Sequence, residues 1–170
     1  MKTPRTTRDG AMSDLYDQDL LLWSEQQADL LRRRAAGEIT NDADLDWLNI
    51  AEEIEAVGAS QRRELRSRLI RLLQHLLKWR YQPELPCRSW RATIKAQRAD
   101  IDDLLAQSPS LRRALSDLLT VAYHRARDEA LEETGLLNLP ELSPFTMEDV
   151  LGGELRDEYC EGVQPRHGLP

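Results

Sequence analysis

The stretch GASQRRELRSRLIRLLQHLLKWR, residues 58–80, decides the fold. Apolar residues recur along it at alternating steps of four and three, which is the spacing of one face of an α-helix. Further apolar residues widen this face into a broad arc, so we expect the helix to be packed on more than one side. The regular seam consists of Leu65, Leu69, Leu72, Leu76 and Trp79, and the residues that widen it are Ile70, Leu73 and Leu77.

Apolar periodicity upstream predicts two more helical segments. Residues 14–36 form the first predicted helix, with Gly37 in the left-handed position that follows a helix C-terminus. From about Asp44 a second apolar stripe runs up to Gly58, where a glycine inside a helix costs about 1 kcal/mol relative to alanine. We therefore expect the helix over 44–80 to be bent or split near Gly58.

The positions of proline, serine and glycine indicate where the remaining predicted helices begin and end. Two prolines end the central helix, because proline does not fit a helix interior. A third helix begins at Ser89, and a fourth runs from the cap residue Ser108 to Gly135. Thr146 resembles the start of a capping box in front of a short helix at about 147–151.

These elements predict an all-α fold. Residues that favour strands are scarce, since valine occurs four times and phenylalanine once. We expect an up-and-down bundle of four main helices plus a short C-terminal helix. The predicted organisation is a flexible N-terminal lead over residues 1–12, a single helical-bundle domain over 13–151, and a flexible tail over 152–170.

Charge is distributed along the chain in three blocks. Residues 58–98 hold 11 of the 23 Lys and Arg residues and only two acidic ones. Residues 9–57 carry 13 acidic residues against three arginines, and residues 99–170 carry 15 against six. The net charge of −7 argues against non-specific coating of DNA. A basic segment between two acidic ones suits binding either to an acidic partner or to its own flanks.

Composition disfavours several classes of protein. Cys87 and Cys160 stand far apart and in no metal-binding spacing, which fits a reducing compartment better than a disulfide framework. No window approaches the length of about 18 apolar residues that a membrane-spanning helix needs. The first residues are polar, so we expect no secretory signal and a cytoplasmic location.

Six motifs occur in order: YDQDLLLWSEQQADLLR (16–32), LDWLNIAEEIEAVG (45–58), HLLKWRYQP (75–83), SWRATIKAQR (89–98), SPSLRRAL (108–115), and the pair ETGL (133–136) and SPFTMEDVL (143–151). With these motifs the chain resembles, over roughly residues 14–151, a bacterial family called domain of unknown function 29. The resemblance implies a small helical protein and brings no activity, substrate or catalytic residue. The family usually reads Cys-Pro-Tyr/Trp-Thr before the last helix, where this chain has Ser143-Pro144-Phe145-Thr146.

Three charged residues fall inside apolar arcs. On a helical wheel Arg66 and Arg80 lie within the arc of the central helix, and Asp19 lies within that of the first helix. Burying an unpaired charge costs several kcal/mol, so these groups must pair, reach solvent or line a cavity. Together with His75 at the edge of the central arc they form a candidate polar core or ligand site. We favour internal ion pairs with the acidic flanks, and specifically a contact of Asp19 with Arg66 or Arg80.

Other basic side chains form a candidate anion-binding surface, which supports an alternative function as a nucleic-acid accessory protein. Trp79 and Trp90 could stack on bases. Both lie on apolar seams, however, where tryptophan serves as a core anchor, and no established nucleic-acid-binding motif occurs. The eight surface residues are Arg62, Arg63, Arg71, Lys78, Arg88, Arg91, Lys95 and Arg98.

Metal and catalytic chemistry have weaker support. His75 has no second histidine or glutamate at the helical spacing of metal ligands. No nucleophile elbow, glycine-rich phosphate loop or paired-carboxylate motif occurs. We expect no catalytic residue, no metal and no cofactor, and keep a small-molecule or metal site in the bundle core near His75 as a third alternative.

The function most consistent with these features is a non-enzymatic protein-interaction module. Four amphipathic helices with broad apolar stripes offer a face for a protein partner, which the sequence does not identify, and a residual face for a homodimer. We expect no membrane partner. Nucleic-acid binding through residues 62–98 remains the main alternative.

Overall fold

The structure is a computed structural model that describes residues 15–82, 87–136 and 138–153. Every regular element in these ranges is a helix and none is a strand, which confirms the all-α class. Close contacts divide the chain into two compact units, residues 1–59 and 60–170, called here unit 1 and unit 2. The predicted lead over 1–12, the tail beyond Gly153, and the two prolines predicted to end the central helix lie outside the described residues.

Unit 1 begins with helix α1 (Leu20–Ala35). The sequence predicted one helix over 14–36, but a short helical turn over 15–18 ends at Asp19, whose own backbone is non-helical. The Asp19 carboxylate accepts a hydrogen bond of 3.0 Å from the Leu22 N–H and so caps α1. The predicted left-handed position is confirmed at Gly37, with a φ of 84°.

A short 3₁₀ turn (Asp42–Asp44) leads into helix α2 (Trp47–Tyr81). The first part of α2 packs antiparallel to α1, because the Trp23 indole N–H donates to Asp46 while the Tyr16 hydroxyl donates to Glu53. Among the described residues of unit 1, three apolar side chains form a small buried core: Trp23, Leu45 and Ile50.

Helix α2 is continuous for 35 residues and passes through Gly58 without a break. The chain therefore does not split into two helices there. A penalty of about 1 kcal/mol for one glycine is small beside the burial of the leucine seam that follows it. The division between the two units nevertheless falls close by, between Ala59 and Ser60.

Unit 2 contains the remainder of α2, helix α3 (Cys87–Gln107), a 3₁₀ turn (Pro109–Ala114), helix α4 (Leu115–Thr134) and the short helix α5 (Met147–Leu151). The predicted fourth helix thus opens as a 3₁₀ turn after Ser108. The predicted end of this helix is confirmed at Gly135, which has a φ of 67°. The predicted capping box at Thr146 is confirmed as well.

Contacts establish an up-and-down order for the three long helices of unit 2. The Ser108 hydroxyl at the end of α3 donates to Gln61 near the start of this part of α2. Further along, Lys78 stacks on the ring of Trp90 near the start of α3, so α2 and α3 are antiparallel. Helix α4 then runs parallel to this part of α2, because the chain enters it just after Ser108, which contacts Gln61, and its late residue Glu133 pairs with Lys78 near the end of α2.

The predicted leucine seam forms the centre of the unit 2 core. All eight apolar residues singled out in the central helix are buried except Ile70, which is half-buried and packs against the core. Burying a leucine contributes about 1.5–3 kcal/mol, so this seam dominates the stability of the unit. No helix in the described ranges is long and apolar enough to cross a membrane.

Candidate functional site

An open groove of about 870 Å³ runs along unit 2 between α2 and α4. Residues four apart lie on one face of a helix, and both walls of the groove have this spacing. The α2 wall consists of Arg66, Ser67, Ile70, Arg71, Gln74, His75 and Lys78, and the α4 wall of Val121, Arg125, Glu129 and Glu133. We call this the basic groove, because it carries four Arg or Lys residues against two Glu.

At one end of the basic groove a buried lysine forms an ion pair with an exposed glutamate. Lys78 is only 4% exposed, and its Nζ donates to both carboxylate oxygens of Glu133, at 2.8 and 2.9 Å. Gln74 donates to the same carboxylate at 2.8 Å, and Lys78 also lies 5.7 Å from the centre of the Trp90 ring. These contacts neutralise the lysine, so this end offers little charge to a ligand.

The opposite end of the basic groove carries cations that are open to solvent. Arg66 and Arg71 are exposed, and their guanidinium groups form no hydrogen bond or ion pair with any residue that the structure describes. Arg125 pairs with Glu129 at 2.8 Å, one helical turn away on an exposed surface. Such pairs contribute only about 0.3–0.5 kcal/mol, so Arg125 can readily exchange its partner.

His75 lies half-buried between the two ends. Its Nδ1 is 2.8 Å from the Arg71 carbonyl oxygen, so this nitrogen carries the proton and Nε2 is the free acceptor. Burial lowers the pKa of His75, and the positive charges of Lys78 and Arg71 lower it further, against the raising effects of the Arg71 carbonyl and Glu133. The net effect favours the neutral form of the ring.

The structure brings together two of the four residues of the predicted polar core. Arg66 and His75 line the basic groove. Arg80 is exposed elsewhere on unit 2, where it donates to the Pro144 carbonyl at 3.3 Å and stacks on Phe145.

Asp19 belongs to unit 1 and is exposed at the start of α1. The helical wheel placed Arg66, Arg80 and Asp19 within apolar arcs, but none of them is enclosed, since the two arginines reach outward and Asp19 stands before its helix rather than within it. The proposed pairing of Asp19 with Arg66 or Arg80 stays a prediction.

The predicted anion-binding surface is also divided. Arg71 and Lys78 line the basic groove, whereas Arg98 binds the end of α5, donating to the carbonyls of Val150, Gly153 and Asp149 at 2.6–2.9 Å. Burial lowers the pKa of Arg98, against the effect of Asp149. The other five residues are exposed on α2 and α3: Arg62, Arg63, Arg88, Arg91 and Lys95.

Neither tryptophan that was considered for base stacking presents an open ring. Trp79 is buried in the core, and Trp90 is half-buried beneath Lys78. Within the described ranges no group of three or more His, Cys, Asp or Glu residues is arranged to hold a metal ion. The basic groove combines exposed charge with partly exposed apolar side chains.

The α4 wall of the groove was not predicted from the sequence. Arg125, Glu129 and Glu133 recur every four residues, which marks one charged stripe on α4. That spacing is visible in the sequence. The stripe lies near Arg66 and Arg71 because α2 and α4 pack in parallel, and no local sequence pattern reveals that packing.

The chain is a small helical protein with an open groove rich in basic residues. The family described as Domain of unknown function DUF29 matches residues 15–155, which is most of the chain. The chain belongs to this family, and the resemblance noted from its six motifs is confirmed. Comparison with curated proteins and with solved structures found no match.

Proposed function

We propose that the protein is a protein-interaction module whose basic groove binds an acidic segment of a partner protein. One observation carries this proposal: Arg66 and Arg71 stand exposed beside the groove without a carboxylate partner among the described residues. Two other basic side chains of the same helix are paired, Lys78 with Glu133 and Arg68 with Glu64. An acidic segment would supply the missing carboxylates.

Apolar side chains on the floor of the basic groove favour a peptide over a free ion as the ligand. Ile70 is half-buried and Val121 is 55% exposed, so apolar side chains lie beside the cations. The twelve-residue span from Arg66 to Lys78 corresponds to about 18 Å of helix. A groove of this length accommodates an amphipathic helix of about three turns, with its apolar side on the floor and its acidic side against the arginines.

The openness of the basic groove disfavours a small-molecule site, because such sites enclose most of their ligand. Glu129 and Glu133 in its wall disfavour a phosphate backbone, which requires a continuous cationic track. As part of the same proposal the module acts in the cytoplasm, as the two isolated cysteines suggest.

The test uses the full chain and a labelled peptide of about 14 residues, with leucines at helical spacing and glutamates elsewhere. We call it the Glu–Leu peptide. Fluorescence anisotropy should detect binding that weakens as salt is added. The double variant Arg66→Glu/Arg71→Glu should lose at least about tenfold in affinity, which corresponds to about 1.4 kcal/mol.

The chain offers a matched control in Arg62→Glu/Arg63→Glu. This variant reverses two exposed arginines of the same helix that do not line the groove, so it changes the net charge equally. It should retain binding within about twofold. Equal losses in both variants, or no binding by the unmodified chain, would refute the proposal. Tight, salt-sensitive binding of single-stranded RNA or DNA by the same cations would favour the nucleic-acid alternative instead.

A further inference from the structure

Unit 1 carries an apolar stripe that its own core does not use. Trp47, Ala51 and Ile54 follow one another at steps of four and three on the first part of α2, and they share one side of the helix. Trp47 is 48% exposed and Ile54 is 68% exposed, and Ala51 is also exposed. We call these three residues the α2 stripe.

Isolated exposed apolar residues are normal on protein surfaces, but a contiguous set at helical spacing marks an interaction site. In a helix–helix interface, each helix contacts the other through apolar side chains at this spacing. The buried core of unit 1 consists of Trp23, Leu45 and Ile50 among the described residues, so the α2 stripe adds substantially to the apolar surface that this unit can bury.

Charge around the α2 stripe restricts the kind of partner. Glu52 and Glu55 are exposed beside it, and residues 47–59 contain no basic residue. Arg34 stacks on Trp47 at 5.9 Å, but its charge is paired with Asp42. Two copies of this acidic face would repel each other, and so would an acidic peptide. A cationic partner complements both its shape and its charge.

We propose that the α2 stripe docks a basic amphipathic helix of a partner protein. The stripe and its acidic rim extend from Trp47 to about Val57, which corresponds to about 15 Å of helix. A partner helix of about three turns, with apolar residues on one face and Lys or Arg on the flanks, covers this length. This surface is separate from the basic groove and opposite to it in charge, so the inference goes beyond the proposed function.

The test uses the full chain and a second labelled peptide, in which lysine replaces every glutamate of the Glu–Leu peptide. Ile54→Ser should weaken binding of this Lys–Leu peptide at least about fivefold, because it removes the largest exposed aliphatic side chain of the α2 stripe. Ile39→Ser is the matched control. Ile39 is fully exposed and lies in the connection between α1 and the 3₁₀ turn, outside the α2 stripe and its acidic rim, so its loss should change affinity by less than about twofold.

A second variant tests the acidic rim. Glu52→Gln/Glu55→Gln should reduce affinity for the Lys–Leu peptide at least about threefold at low salt and less at high salt. Circular dichroism should show the same helix content in all of these variants, since each substituted residue is exposed.

Several results would overturn the inference. These are absent binding of the Lys–Leu peptide, equal losses in Ile54→Ser and Ile39→Ser, or a dimer in sedimentation that Ile54→Ser abolishes, which would make a second copy the occupant. Arg66→Gln/Arg71→Gln should leave binding of the Lys–Leu peptide unchanged. Failure of this inference is therefore distinguishable from failure of the basic groove.

Discussion

The Nζ of Lys78 lies 2.8 Å from Oε1 of Glu133 and joins α2 to α4 at one end of the basic groove. The lysine is buried, whereas about half of the Glu133 side chain is exposed, so the pair shields one cation and leaves the rest of the groove charged. The two ends of the groove therefore differ, since one holds a paired cation and the other holds exposed arginines.

The ion pair itself leads to a prediction about stability. Glu133→Gln should lower the free energy of unfolding by about 1–3 kcal/mol, because it leaves the buried ammonium of Lys78 without a charged acceptor. Lys78→Met should be near neutral, because removal of the buried charge also removes its desolvation cost. Urea denaturation measures both values. A larger loss in Lys78→Met than in Glu133→Gln would contradict this account.

Arg98 should stabilise the C-terminal part of the described chain. Arg98→Met removes three charged hydrogen bonds to carbonyls at and just beyond the end of α5, and we expect a loss of about 1.5–3 kcal/mol. Hydrogen exchange should report faster opening of α5. Lys95→Met, an exposed change on the same helix, should stay within about 0.5 kcal/mol of the unmodified chain. Equal effects of the two variants would exclude this role for Arg98.

Gly135 should resist replacement because it ends α4 in the left-handed conformation, with a φ of 67°. A Cβ added there meets no atom, so the cost of Gly135→Ala is conformational, about 1–2 kcal/mol. Gly152 also has free space where a Cβ would lie, but its φ is negative, so Gly152→Ala should be close to neutral. Thermal unfolding of both variants checks this difference, and an unchanged Gly135→Ala protein would refute it.

His75 should make stability depend on pH. Its pKa is lower in the folded chain than the value of about 6.5 expected when unfolded, mainly because of burial. The unfolded state therefore binds more protons as the pH falls, so stability is fully present above that value and is lost below it. The urea midpoint should fall from about pH 7.5 to about pH 5.5 more in the unmodified chain than in His75→Gln. Parallel pH profiles would contradict this.

Sequence patterns predicted the parts of this fold that local physics determines. The four-and-three spacing identified the seam that became the core, and Gly37, Gly135 and Thr146 ended or began helices as their conformational preferences require. The break at Asp19 was missed because Ser13, Asp14 and Asp19 are all good cap residues, and propensity alone does not choose among them.

The candidate site was only partly predictable from the sequence. Arg66, Arg71 and His75 were identified as candidates, but the groove that unites them exists only because α4 packs parallel to α2. The target of Arg98 lies more than fifty residues away along the chain, so its spacing carries no signal. Helical wheels give the direction of a Cβ and not the reach of an arginine, which is why Arg66 and Arg80 proved to be exposed.

The central claim is that the basic groove binds an acidic segment, and amide chemical-shift mapping tests it most directly. On titration with the Glu–Leu peptide, signals of Ser67 and Arg71 on α2 and of Val121 and Arg125 on α4 should shift together and saturate. Shifts confined to the exposed arginines of α3, or an unchanged spectrum at saturating peptide, would contradict the claim.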